Sequence, residues 1–106
     1  MKKISIIGAG NMGGAIARGL SQGSIFSAQQ ITVSDISTEN LQAIKTFNPL
    51  INTTLSNVDG VQHADIVVIA VKPWLTETIC NEIKSVLNYD KQVVVSIVAG
   101  VSFEQL

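Results

Sequence analysis

Gly8-Ala9-Gly10-Asn11-Met12-Gly13 restricts this chain more than any other stretch, because glycines at that spacing suit one kind of turn. Before it, Ile4-Ser5-Ile6-Ile7 is a short apolar run that reads as a buried strand. After it, Asn11 to Leu20 sets Met12, Ala15, Ile16, Gly19 and Leu20 at helical spacing. A G-x-G-x-x-G turn between a strand and a helix is a pyrophosphate-binding signature. Gly8 permits the tight turn, Gly10 lets an anion approach backbone N–H groups, and Gly13 lets the helix pack closely on the strands. The helix start adds unpaired N–H groups and a partial positive charge. The plain alternative is a glycine-rich turn with no ligand.

The remainder repeats the alternation. Ile31 to Ser34 is a β-branched strand, and Ser37 or Thr38 caps a helix to about Phe47 with Leu41, Ile44 and Phe47 on its apolar face. Ile51 to Leu55 reads as a weaker strand, and Asn57 to His63 as a short helix or turn. Ala64 to Val71 is the clearest strand, and its continuous apolar run implies cover on both faces. Leu75 to Leu87 is helical, with Leu75, Ile79, Ile83, Val86 and Leu87 on one side. Val93 to Ile97 is a fifth strand, Ala99-Gly100 turns the chain, and Ser102 starts another helix. Strands alternating with helices predict a Rossmann-type, doubly wound α/β fold: about five mainly parallel strands with helices on both faces. Residues 1–106 form one dinucleotide-binding domain on this reading. The chain stops four residues after Ser102, where a helix is beginning, so a longer parent protein is expected.

Charge and cysteine content exclude several function classes. A net charge of -1 gives no pull toward nucleic acid or anionic membranes. The longest apolar run is strand-sized, too short for a signal-peptide core or a membrane span. One cysteine, Cys80, forms no internal disulfide, fits a reducing cytoplasm, and reads as a half-buried helix residue. With one histidine, His63, read as a surface residue, no zinc-type cluster can form.

Asp35 ends the second strand, where an acidic side chain can accept hydrogen bonds from the adenosine ribose hydroxyls. A carboxylate there repels a 2′-phosphate and favours NADH over NADPH. Ser34, Ser37 and Thr38 would serve a phosphate instead if Asp35 turned away, but no arginine lies nearby. The competing role for Asp35 is helix capping. Ala70-Val71-Lys72-Pro73 and Ala99-Gly100 leave the C-terminal ends of the fourth and fifth strands, where open α/β sheets bind ligands. Those loops would flank the nicotinamide. Lys72 also reads as a plain surface cation, and Trp74 as a pocket wall or a cover for the sheet edge. No residue presents itself as a catalytic acid or a metal ligand.

With these residues in view, the chain resembles the N-terminal domain of the pyrroline-5-carboxylate reductases, over essentially its whole length. The similar segments are Ile6 to Gly13, Asp65 through Ala70-Val71-Lys72-Pro73, and Val94-Val95-Ser96-Ile97-Val98-Ala99-Gly100-Val101. The resemblance implies pyrophosphate binding by Gly8, Ala9, Gly10, Asn11, Met12 and Gly13, with Asn57 near the adenosine ribose. It puts Ala70 to Pro73 and Ala99-Gly100 at the nicotinamide, and hydride transfer to the C=N carbon of 1-pyrroline-5-carboxylate, giving L-proline. It also implies a helical second domain, absent here, that dimerises the protein and supplies most of the imine pocket. Many members carry serine or arginine where Asp35 stands, to suit NADPH. A related imine or 3-hydroxyacid dehydrogenase, or a deazaflavin-dependent NADP reductase, shares this N-terminal pattern. A non-catalytic NAD(H)-sensing module is the alternative outside enzymology.

Overall fold

Among the described residues, five short strands lie parallel in one sheet, in the order β3-β2-β1-β4-β5. They are β1 (Ile4–Ile7), β2 (Ile31–Ser34), β3 (Asn52–Thr54), β4 (Ile66–Ile69) and β5 (Val93–Ser96). The helices are α1 (Asn11–Gln22), α2 (Thr38–Phe47), α3 (Asn57–Val61) and α4 (Thr76–Ile83). The computed structural model describes residues 2–88 and 90–97. The fold expected from the alternation of strands and helices is the one observed. Ala99, Gly100 and the helix start at Ser102 lie outside the described residues.

Period-2 alternation divides the core between the two faces. Ile4, Ile6, Ile31, Val33 and Val68 join Ala17 of α1 and Leu41 and Ile44 of α2 on one side. Ile7, Val67 and Ile69 join Val61 of α3 and Ile83 of α4 on the other. Helices therefore cover both faces, which is why β1 and β4 are apolar almost throughout. Ser37 caps α2, its hydroxyl accepting from the Asn40 N–H at 3.2 Å.

Several local expectations shift. The buried side of α1 is Gly13, Gly14 and Ala17, while Met12 and Ala15 are exposed. A helix drawn this close to a sheet selects small residues, which apolar spacing alone does not identify. Phe47 is exposed, and Cys80 is exposed rather than half-buried. The helix expected from Leu75 to Leu87 resolves into a 3-10 turn over Pro73–Leu75, α4 itself, and a turn beyond Ile83. No described helix is long and apolar enough to cross a membrane.

The close approach of α3 has a local consequence. Ser5 and Ser34 are fully buried, their hydroxyls lack a partner, and both lie against Gly60 of α3. An unpaired buried hydroxyl is destabilising relative to an apolar group of similar shape. Ser5→Ala is therefore expected to leave stability unchanged or raise it by up to about 1 kcal/mol in urea unfolding. A loss larger than that would mean the hydroxyl has a partner.

Candidate functional site

The C-terminal ends of β1, β2 and β4 open into a cleft of about 830 Å³. Its centre is the turn leaving β1. Gly8 sits at φ +105, a conformation that glycine adopts without strain. Its N–H donates to the Ser34 carbonyl at 2.8 Å, and the Ala70 carbonyl lies against its Cα. Gly13 lies directly beneath, where any Cβ would overlap the Gly8 carbonyl. The fold thus demands glycine at both positions. Gly10 differs: its φ of -72 is open to any residue, and a Cβ there would meet nothing within 4 Å. What glycine leaves at Gly10, a residue that borders the cleft, is open space.

The start of α1 supplies the donors. Its first intrahelical bond runs from the Gly14 N–H to the Gly10 carbonyl at 2.7 Å. No side chain caps this end, and its first turn carries no acidic residue. The N–H groups of the first turn, with their share of the helix dipole, therefore face the cleft unspent. Attraction for a phosphate comes from backbone, since the charged side chains bordering the cleft are two carboxylates, Asp35 and Glu82, and one ammonium, Lys72.

Asp35 borders the cleft, but its carboxylate is already engaged. Oδ2 accepts from the Ala9 N–H at 2.8 Å and from the Asn40 side-chain amide at 3.3 Å. Oδ1 accepts from the Ser37 N–H at 2.9 Å. The helix cap is Ser37, so Asp35 is not the capping residue but braces the turn in front of it. Asn57, 6% exposed, begins α3 at the cleft's edge. Gly8, Gly10, Asn11, Met12, Asp35, Asn57, Ala70, Val71 and Lys72 all border this one cleft. Ala9 reaches it through the Asp35 contact, and Pro73 begins the 3-10 turn after Lys72. Trp74, 74% exposed, is not among the bordering residues.

Sequence reasoning missed part of the wall. Ile36, 84% exposed, stands beside Asp35, with Asn40 one turn into α2. Leu75, Thr78, Ile79 and Glu82 form the opposite side, and their i, i+3, i+4 spacing marks one stripe along the start of α4. That spacing is visible in the sequence, but Thr78 and Glu82 look like ordinary solvent-facing residues. His63 borders a separate hollow of about 190 Å³ at the N-terminal edge of the sheet. No group of three metal-ligating side chains occurs among the described residues.

A family model described as NADP oxidoreductase coenzyme F420-dependent matches residues 3–100. A pyrroline-5-carboxylate reductase from Escherichia coli is 42% identical over 106 residues, covering 99% of this chain and 38% of that protein. A pyrroline-5-carboxylate reductase structure from Coxiella burnetii superposes with a TM-score of 0.83 at 34% identity, covering 98% of this chain and 38% of that one. The Plasmodium falciparum pyrroline carboxylate reductase with NADP bound gives 0.77 at 28% identity, covering 98% and 36%. The chain thus spans well under half the length of these relatives.

Proposed function

Since the chain belongs to the family described as NADP oxidoreductase coenzyme F420-dependent, we propose that it is the dinucleotide-binding part of a reductase acting on 1-pyrroline-5-carboxylate. The observation that carries this reading is the turn at Gly8, Gly10 and Gly13. Two of its glycines are required by the fold, and the third leaves room for a ligand above a row of free N–H groups. The relatives' shared identity as pyrroline-5-carboxylate reductases supports the choice of substrate.

In this reading the pyrophosphate lies on the N–H groups of Gly10, Asn11 and Met12, over Gly13. The adenosine ribose lies toward Asp35, Asn40 and Asn57, with Ile36 as an apolar wall. Ala70, Val71, Lys72 and Pro73 hold the nicotinamide end, together with Ala99 and Gly100. When bound, the reduced nicotinamide would supply a hydride to the C=N carbon of the N-protonated imine, giving the C–H and N–H of L-proline. This chain's share is binding and orientation. The imine pocket and the self-association belong to a helical domain beyond residue 106, in a cytoplasmic protein.

NADH is the favoured cofactor. Asp35 places a negative charge where the 2′-phosphate of NADPH would sit, and residues 31–44 contain no lysine or arginine to offset it. NADH is expected to bind about tenfold more tightly than NADPH in calorimetric titration, a difference of about 1.4 kcal/mol. Asp35→Ala should shrink that ratio toward one. Tighter NADPH binding by the unaltered chain would reject the preference and leave the reductase reading in place. The reaction itself is tested on the full-length protein, by following NADH oxidation with 1-pyrroline-5-carboxylate. The family's description carries a second reading, electron exchange between coenzyme F420 and NADP, and turnover with F420 but not with the imine would establish it instead.

A further inference from the structure

A carboxylate whose sole task was to hold a ribose would keep its oxygens free for that ligand. In Asp35 they are turned inward. Oδ2 takes the Ala9 N–H across 26 positions of sequence, inside the glycine turn. Asn40 donates to the same oxygen, and the Ser37 N–H fixes Oδ1. Ser37 and Asn40 belong to the cap and first turn of α2, so the orientation of the carboxylate is set by that helix. The backbone is joined at the same place, with the Gly8 N–H on the Ser34 carbonyl at 2.8 Å and the Asp35 N–H on the Thr54 carbonyl at 3.2 Å. From β3 to the glycine turn, the hydrogen bonds run without a break.

We infer that Asp35 is a positioning residue for the pyrophosphate turn: by holding the Ala9 N–H it fixes the following N–H groups in their anion-binding arrangement. This rests on the nucleotide-site reading and deepens it. A charge-assisted hydrogen bond of this kind is among the stronger ones available to a loop. Ala9 N–H is consumed by it, so the anion is left to Gly10 and the first turn of α1. Asn40 acts through Asp35, holding Oδ2 in place from the side of α2.

Two effects of Asp35 on an anion have opposite signs, and that makes the role testable. Its charge repels a nearby phosphate, so charge removal alone strengthens binding. Its grip on Ala9 orders the turn, so loss of the grip weakens binding. Inorganic pyrophosphate, which has no ribose, reads both effects without any contribution from a ribose contact. Asp35→Ala is expected to bind pyrophosphate several-fold more weakly than the unaltered chain. Asp35→Asn, which drops the charge and keeps one acceptor oxygen for the Ala9 N–H while giving up the Ser37 N–H, is expected to bind it at least as tightly as the unaltered chain. Pyrophosphate binding by Asp35→Ala that equals or exceeds the unaltered chain's would overturn the inference.

Amide exchange followed by NMR gives a readout that needs no ligand. In Asp35→Asn the Ala9 amide should stay protected, whereas in Asp35→Ala it should exchange about tenfold faster or more. The Lys84 amide, bonded to the Cys80 carbonyl in α4 and remote from the turn, serves as the reference and should not change. Equal protection of Ala9 in all three proteins would also overturn the inference. If the unaltered chain binds neither pyrophosphate nor NADH, the nucleotide-site reading fails, and Ala9 exchange still decides whether Asp35 clamps the turn.

Discussion

Gly13→Ala is expected to lower the stability of this chain by about 3 kcal/mol or more, toward the limit of what so small a domain tolerates. The added methyl has nowhere to go. It would overlap the carbonyl oxygen of Gly8 and crowd its carbonyl carbon at 2.7 Å. Neither is the end of a flexible side chain. Relief would require α1 to lift from β1 or the Gly8 turn to unwind, and the Gly8 N–H is committed to the Ser34 carbonyl. Thermal or urea unfolding of the purified variant measures the loss. A melting temperature within about 4 °C of the unaltered chain would show the turn to be softer than its packing implies.

Gly10→Ala is expected to do the reverse, leaving the fold intact and removing the ligand. Its methyl meets no protein atom within 4 Å, and the backbone there is already in an ordinary extended conformation. Stability should change by less than about 0.5 kcal/mol, as for a surface position. On the proposed reading, the methyl takes up space that a pyrophosphate needs at the start of α1. NADH affinity should fall about tenfold or more, a loss of about 1.4 kcal/mol or more. Calorimetric titration beside a thermal melt reads both quantities. Undiminished NADH binding would mean that the ligand does not lie over Gly10. The pair of variants separates the glycines that the protein needs from the one that the ligand needs.

That division was legible in the sequence, where the motif gives Gly8 to the turn, Gly13 to helix packing and Gly10 to the approach of an anion. So was the turn itself, because only glycine accepts φ +105 at Gly8 and the contact beneath it at Gly13. The order of strands and helices was readable for a similar reason: β4, Ile66 to Ile69, is apolar because two layers of helices cover it. The buried side of α1 was not, since close approach to the sheet favours Gly14 and Ala17 over the larger Met12. At the site, the place of Asp35 followed from the end of β2, but the direction of its carboxylate did not. That direction depends on the Ala9 N–H, which tertiary structure alone brings near. Asn40, Thr78 and Glu82 escaped notice because a polar residue on a helix gives the same signal whether it faces a cleft or open water.

The central position of β1 also bears on how the domain is completed as the chain is made. β1 leaves the ribosome before the other four strands of this sheet, yet it pairs with β2 on one side and with β4 on the other. Once β2 has docked, the second row of β1 N–H and C=O groups stays open until β4 is synthesised, an exposed edge during growth. The glycine turn waits for the same event, because the Ala70 carbonyl that lies against Gly8 arrives just behind β4, with the Ala70 N–H bonded to the Ile7 carbonyl at 2.8 Å. A nucleotide that binds the finished turn therefore stabilises only those chains whose two half-sheets have already joined.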